Sequence, residues 1–235
     1  MFKLITQLID VLFPKSCLNC QKQGSYLCED CQACLEIFQY QYCLCKKPIL
    51  AIKKCQRCKS KKLDSLYFAL SYQKIFVKKL IHSFKYEPFV KELSKSLAGL
   101  IINHFYLLEK QPNFLSDKTD FILVPIPLYI KKLKWRGFNQ AEELAKELAK
   151  FLALPLISDC LIKNKKTPAQ IELNDAERKE NIKNVFIVKN QEKIKNKKIL
   201  LIDDVYTTGS TMEEAAKILK ETGVKEVIGI VIARG

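Results

Sequence analysis

Nine of the ten cysteines fall between residues 17 and 58, and only Cys160 lies outside that span. No other feature limits the fold as tightly. Three CxxC pairs are explicit, Cys17 with Cys20, Cys28 with Cys31 and Cys55 with Cys58, and Cys34, Cys43 and Cys45 sit between them. Two thiolates separated by two residues of a tight turn can take two corners of a tetrahedron around zinc, and a second such knuckle completes it. The binding free energy then becomes folding free energy for a segment too short to bury a core. Spacing pairs Cys17 and Cys20 with Cys28 and Cys31 in a first site. Cys43 and Cys45 pair with Cys55 and Cys58 in a second, where CxC replaces one CxxC. Cys34 is left over and could substitute in either. Disulfides would need an oxidising compartment, and a thioredoxin-like redox pair would occur once rather than three times. The expected cofactor is structural Zn2+. The shift in composition sets a domain boundary, with a zinc-ribbon domain over 1–65 and a second domain over 66–235.

The scarce residues exclude several function classes. The two histidines, His82 and His104, belong to no HxxxH or HxE pattern, which leaves a catalytic triad or a two-histidine metal site without support. His82 reads as an amphipathic-helix residue rather than a ligand. The seven glycines form neither GxGxxG nor GxxxxGK[ST], so neither a dinucleotide fingerprint nor a nucleotide-triphosphatase loop is available. No apolar run approaches the 18 residues of a membrane span. The stretch Phe2–Phe13 carries Lys3 and Asp10 and lacks a signal-peptide cleavage site. The expectation is a soluble, cytoplasmic chain. Its charge is +15, yet only four of the 40 basic residues are arginines. Lysine is a hydrated point charge and arginine a bidentate fork, so the charge permits attraction to a polyanion without demonstrating it.

Beyond the cysteines the pattern alternates between strand and helix. Residues 66–72 have strand character, and Lys74–Tyr86 carries a helical apolar stripe through Val77, Leu80, Ile81 and Phe84. Pro88 interrupts it, and Phe89–Leu108 continues as a second amphipathic helix. Phe121–Val124 and Ile199–Ile202 are short apolar runs of the kind that form buried parallel strands. Asn139 can cap a helix over Gln140–Leu152, a further helix runs from Thr211 to Thr222 and closes at Gly223, and Val227–Ile232 is the last strand. The fold class is therefore α/β with a parallel sheet. Ligands of such sheets sit beyond the carboxyl ends of the strands, which directs attention to the loops after Val124 and Ile202.

The second of those loops is the most informative stretch: Ile199-Leu-Leu-Ile-Asp-Asp-Val-Tyr-Thr-Thr-Gly-Ser-Thr211. Backbone N–H groups of such a turn, with the positive end of the following helix, form an anion pocket. Thr207, Thr208, Ser210 and Thr211 add hydroxyls, and Gly209 lets the backbone approach a phosphate. Asp203 and Asp204, as strand neighbours, should point to opposite faces, which suits contacts to sugar hydroxyls near a divalent cation better than a proton-sharing dyad. The competing reading is a plain helix start, with Ser210 or Thr211 as the cap and Glu213 or Glu214 completing a capping box. That reading leaves the two acids after four apolar residues unexplained.

This stretch resembles the phosphoribosyl-diphosphate (PRPP) motif of type I phosphoribosyltransferases. Further motifs extend the likeness to nearly the whole chain: the cysteine ribbons, Leu-Ile-His-Ser-Phe-Lys-Tyr86, Val124-Pro-Ile-Pro127, Arg136-Gly-Phe-Asn-Gln140, Thr167-Pro-Ala-Gln170, and Arg178 with Asn181. Together they resemble the ComF/ComFC family of competence proteins. The resemblance implies a phosphoribosyltransferase-like sheet flanked by helices behind small zinc ribbons. It implies that Asp203 and Asp204 hold ribose hydroxyls and that the Thr207–Thr211 turn holds the 5-phosphate. The loop Pro125–Gln140, with Lys132, Arg136 and Gln140, would face the pyrophosphate, with Mg2+ assisting. Residues 163–184, including Gln170, Arg178 and Asn181, would occupy the position of the flexible active-site loop.

One departure stands out. Where the family has a third CxxC knuckle followed by glycine, this chain has Tyr42 in place of one cysteine and Lys46 in place of the glycine, which weakens the second metal site. The implied role is PRPP-linked handling of incoming single-stranded DNA, alongside competence and recombination proteins at the inner membrane. Lysines and the aromatics Tyr26, Tyr40 and Tyr42 would contact the DNA without sequence preference. An active phosphoribosyltransferase with an unidentified acceptor is the alternative. A zinc ribbon that only docks protein partners, with Phe2–Phe13 as a docking helix, is the third reading.

Overall fold

A computed structural model describes residues 14–45, 54–164 and 185–235. Four strands form a wholly parallel sheet: β1 (Ser65–Ser71), β2 (Phe121–Pro125), β5 (Lys198–Ile202) and β7 (Glu226–Arg234), in the order β1-β7-β5-β2. A two-residue strand, β6 (Val205–Tyr206), runs beside the end of β7. The short strands β3 (Leu161–Lys163) and β4 (Phe186–Val188) form a separate antiparallel pair. The central strands β5 and β7 are apolar between their charged end residues Lys198, Glu226 and Arg234 because both faces are covered. In β5, Leu200 and Ile202 enter one core while Ile199 and Leu201 enter the other.

The first face is covered by α2 (Ile75–Lys85), α3 (Leu93–Leu107) and α6 (Gln140–Leu152). In α2 the buried Val77, Leu80, Ile81 and Phe84 recur at the spacing of one helical face. The helix expected from Phe89 begins only at Leu93, after a cis Glu87–Pro88 peptide and a Phe89 with φ of 52°. Asn139 caps α6 as expected, its side chain accepting from Ala141 N at 3.2 Å. Its amide also donates to Ile126 O at 3.0 Å, which ties the helix start to the exit of β2.

On the second face α7 (Ser210–Glu221) packs through Met212, Ala215, Ala216 and Leu219. Cysteine-bearing segments lie on both faces. Cys17, Cys28 and Cys31, with the short helix α1 (Glu29–Ala33), join the core beneath α2 and α3. Cys43, Leu44 and Cys58 join the core beside α7. Between them Phe38 N bonds Ala69 O at 2.9 Å along the outer edge of β1, and Phe38 O meets the buried His104 Nδ1 at 2.6 Å. Burial draws the His104 imidazole down to about 4, so it is a neutral core group. The segment Phe2–Phe13 lies outside the described residues.

Candidate functional site

The carboxyl ends of β2 and β5 are adjacent, and Lys132, Arg136, Gln140, Asp203 and Asp204 from the segments that follow them converge there. β5 ends at Ile202, so strand alternation does not govern the two aspartates. Asp203 N bonds Ile230 O, and its carboxylate accepts from Asp204 N at 2.9 Å. Asp204, only 3% exposed, takes Lys85 Nζ at 2.8 Å and Gln140 Nε2 at 3.2 Å. The two acids therefore face one cluster of cations rather than opposite faces, which corrects the expectation from strand geometry. Burial and the neighbouring Asp204 charge push the Asp203 carboxyl up to about 7, against the pull of Lys85 and Lys163. Burial alone would depress Lys85, but the carboxylates of Asp204 and Asp203 outweigh it and raise its pKa.

Arg136 sits not in an open loop but at the end of a helix, α5 (Ile130–Arg136), closed by Gly137 in the left-handed region at φ 82°. Its side chain is 4% exposed and lies over the Tyr86 ring, 5.5 Å from the centroid. None of its three guanidinium nitrogens has a hydrogen-bond partner among the described residues. A buried cation left this way is costly unless an anion completes it. Burial lowers the pKa of Lys132, and the nearby charges of Arg136 and Lys85 lower it further. Lys163 at the end of β3 is likewise lowered by burial, then by Lys132. Sequence reasoning missed Lys85, Tyr86 and Lys163 as members of this cluster. The Leu80–Tyr86 motif held a signal for the first two, but only the fold brings the end of α2 to the end of β5.

In the turn after Asp204 the helix cap is Gly209, with φ of 79°, which has no side chain to cap α7, and Thr208 Oγ1 accepts from Ser210 N at 3.4 Å. Ser210 begins the helix one residue before its expected start. The capping-box reading therefore fails at Ser210 and Thr211, and Glu213 instead accepts from Lys62 N at 2.9 Å. Thr208 Oγ1 and Ser210 Oγ lie 2.9 Å apart, and Thr207 is exposed. A Cβ on Gly209 would overlap the Tyr206 phenol, which fills the space beneath the turn. Gln140 is buried, its Oε1 has no hydrogen-bond partner among the described residues, and its Nε2 serves Asp204. Gln170, Arg178 and Asn181 lie outside the described residues.

Both cysteine sets come together as spacing expects: Cys17, Cys20, Cys28 and Cys31, and Cys43, Cys45, Cys55 and Cys58, the sulfurs of each set within 4.8 Å of one another. Sulfurs in a tetrahedral zinc site are about 3.8 Å apart, given Zn–S bonds near 2.3 Å. Cys20 and Cys28 are separated by 3.5 Å and Cys45 and Cys55 by 3.4 Å, so the donor sets fit such an ion. Burial opposes ionisation of Cys17 and Cys43, yet backbone N–H groups, first from the facing knuckle (Cys28 for Cys17, Cys55 for Cys43) and then from their own, bring both thiols down to about 6. Exposed Cys34 belongs to neither set.

The aromatics expected to contact DNA do not all lie open. Tyr42 packs edge-on against Phe38 at 5.4 Å and beside Phe68 at 5.6 Å, and Tyr26 is half-buried against the first core. Only Tyr40 is largely exposed, in a groove of about 430 Å³ shared with Leu35, Phe38 and Phe76 that includes none of the cluster residues. Trp135 is exposed beside the cluster and meets Phe89 edge-to-face at 5.1 Å. Among the described residues no helix is long and apolar enough to cross a membrane.

Comparison with known proteins agrees with this arrangement. A phosphoribosyl transferase domain model matches residues 134–235. The chain is 35% identical over 106 residues to Competence protein F of Haemophilus influenzae, and 30% identical over 149 residues to DNA utilization protein YhgH of Salmonella typhi. Those matches span 46% and 63% of the two relatives and 45% and 63% of this chain. With Competence protein ComFC of Streptococcus pneumoniae it shares 32% identity over 222 residues, 92% of this chain and 91% of that protein. A match of that extent places the chain in the ComF/ComFC family of competence proteins.

Proposed function

We propose that this protein binds PRPP with Mg2+ and serves DNA uptake in natural transformation, handling single-stranded DNA in the cytoplasm at the inner membrane with competence and recombination partners. The observation that carries the ligand assignment is the buried, unpartnered guanidinium of Arg136 beside Lys132 and the Asp204–Lys85 pair. In this reading Arg136 and Lys132 meet the pyrophosphate, and the Thr207–Thr211 turn meets the 5-phosphate through backbone N–H and hydroxyl groups. Asp203 and Asp204 accept from the ribose hydroxyls. Two Zn2+ ions hold residues 1–65 as a ribbon module against the ligand-binding module of 66–235.

Calorimetry with PRPP and Mg2+ tests the assignment; no heat from correctly folded, metal-loaded protein would overturn it. The same titration has a pH signature. Because Asp203 is raised to about 7, the free protein holds a proton there at pH 6. Ligand hydroxyls and a divalent cation need the carboxylate. Affinity should therefore fall as pH drops below about 7, by up to about tenfold per unit for one linked proton. Titrations at pH 6 in two buffers of different ionisation enthalpy should show proton release, which should vanish by pH 8.

The DNA surface is assigned to α5 and its neighbours. Lys131, Lys134 and Trp135 are exposed there within five residues, with Phe89 against the indole. Base stacking on such an aromatic contributes about 1–3 kcal/mol, so Trp135→Ala should weaken binding of a single-stranded oligonucleotide roughly tenfold. The logarithm of affinity should fall linearly with that of salt concentration. Affinity indifferent to salt would refute the electrostatic part. The cations where pyrophosphate would depart also favour a second reading, an active phosphoribosyltransferase. Pyrophosphate release with some acceptor, lost in Asp204→Ala, would establish it.

A further inference from the structure

The second cysteine set and the phosphate turn share a chain of contacts that the first set lacks. Arg234, the last residue of β7 and 6% exposed, donates from Nη1 to Cys43 O at 2.9 Å and from Nη2 to Leu44 O at 2.6 Å. Its guanidinium lies between the rings of Phe68 and Tyr206, 5.4 Å from each centroid. Tyr206 is paired with Arg234 across β6 and β7 and fills the space under Gly209. On the other side of the set, residues just after Cys58 grip the same turn. Lys61 Nζ reaches Tyr206 Oη at 3.3 Å, and Lys62 N donates to Glu213 in the first turn of α7. Both knuckles of the second set are thus fastened to the elements that shape residues 207–211. The first set packs in the opposite core, with α2 and α3.

We propose that the second cysteine set is a positioning device for the phosphate turn, acting through Arg234, so that loading that one metal site sets the geometry of the ligand pocket. An arginine fork can hold two carbonyls and stack between two rings at once; a point charge cannot. Without the metal, the Cys43–Leu44 carbonyls and the Lys61–Lys62 segment lose their fixed positions. Tyr206 is then freed, and the left-handed Gly209 turn loses the side chain packed beneath it.

Hydrogen exchange on the full-length, ligand-free protein tests this without relying on PRPP. Cys45→Ser should lose one metal ion and raise amide exchange in residues 205–212 by about tenfold or more beyond whatever rise the lost stability brings to β2 and β5. Cys20→Ser should lose one metal ion and raise exchange in 205–212 no more than in β2 and β5. Arg234→Lys, with both ions retained, should reproduce the local effect and carries the test if Cys45→Ser does not fold. An unchanged turn after loss of the second ion, an equal response to loss of either ion, or an equal rise across β5 and β7 would overturn the coupling. A second arm rests on the PRPP reading: Arg234→Lys should weaken PRPP–Mg2+ binding about tenfold, since a loosened turn must be reordered by the ligand. If wild-type protein binds no PRPP, the ligand reading fails while the exchange result still decides the coupling.

Discussion

Arg136→Met should weaken PRPP binding by roughly 100- to 1,000-fold, the range expected when a buried, hydrogen-bonded charge contact of about 3–4 kcal/mol is lost. The same substitution should raise the thermal stability of the ligand-free protein. Its guanidinium is buried with three nitrogens unpartnered among the described residues and only the Tyr86 ring and the more distant Asp204 carboxylate to compensate it. Replacing an uncompensated buried charge with an apolar side chain of similar length removes a desolvation cost, commonly about 1–3 kcal/mol. A chain of this size should gain about 2–4 °C in melting temperature per kcal/mol. The opposite signs are the signature of a site held ready for an anion. Scanning calorimetry and ligand titration on one preparation give both readings. Loss of stability together with unchanged affinity would show instead that Arg136 serves the fold.

Metal removal should have a larger effect on stability. Structural zinc sites of four thiolates contribute apparent binding energies of about 10–16 kcal/mol each in small peptides. Here the two donor sets sit in the two cores that sandwich the sheet, so their loss uncovers apolar surface on both faces. Purified protein should carry two ions per chain by elemental analysis. A strong chelator should lower the melting temperature by more than about 10 °C, the shift expected for several kcal/mol in a chain of this length. The first set should empty before the second, because Cys20 is exposed whereas Arg234 covers the Cys43–Leu44 carbonyls beside the second. An unaltered transition in chelator would refute a structural role for the ions.

The substitution of Tyr42 for an expected cysteine does not leave the second set short of a ligand. Cys43 supplies the fourth sulfur, and Tyr42 is absorbed into an aromatic cluster with Phe38 and Phe68. The CxC spacing was visible in the sequence; that it closes around Cys55 and Cys58 goes with packing in the core beside α7 and with the Arg234 grip on the Cys43 and Leu44 carbonyls. The DNA-contacting aromatics illustrate the reverse. Tyr26, Tyr40 and Tyr42 look equivalent as residues in a short polar ribbon, and only packing separates the exposed Tyr40 from the half-buried Tyr26 and Tyr42.

What the sequence determined by itself was local. Cysteine spacing set the two donor quartets, continuous apolar runs marked buried parallel strands, and the 3.6-residue stripes of α2 and α6 marked helices that pack on them. Each of these patterns is complete within a dozen or so residues, so chain connectivity alone carries it. The tertiary structure decided which distant groups share a charge environment. Lys85 reaches Asp204 across more than a hundred residues, Arg136 is buried with no hydrogen-bond partner among the described residues, and Arg234 joins the carboxyl end of β7 to the carbonyls of the second knuckle. Electrostatic strength depends on separation and burial rather than on position along the chain, so those relations exist only once the sheet has brought its strand ends together.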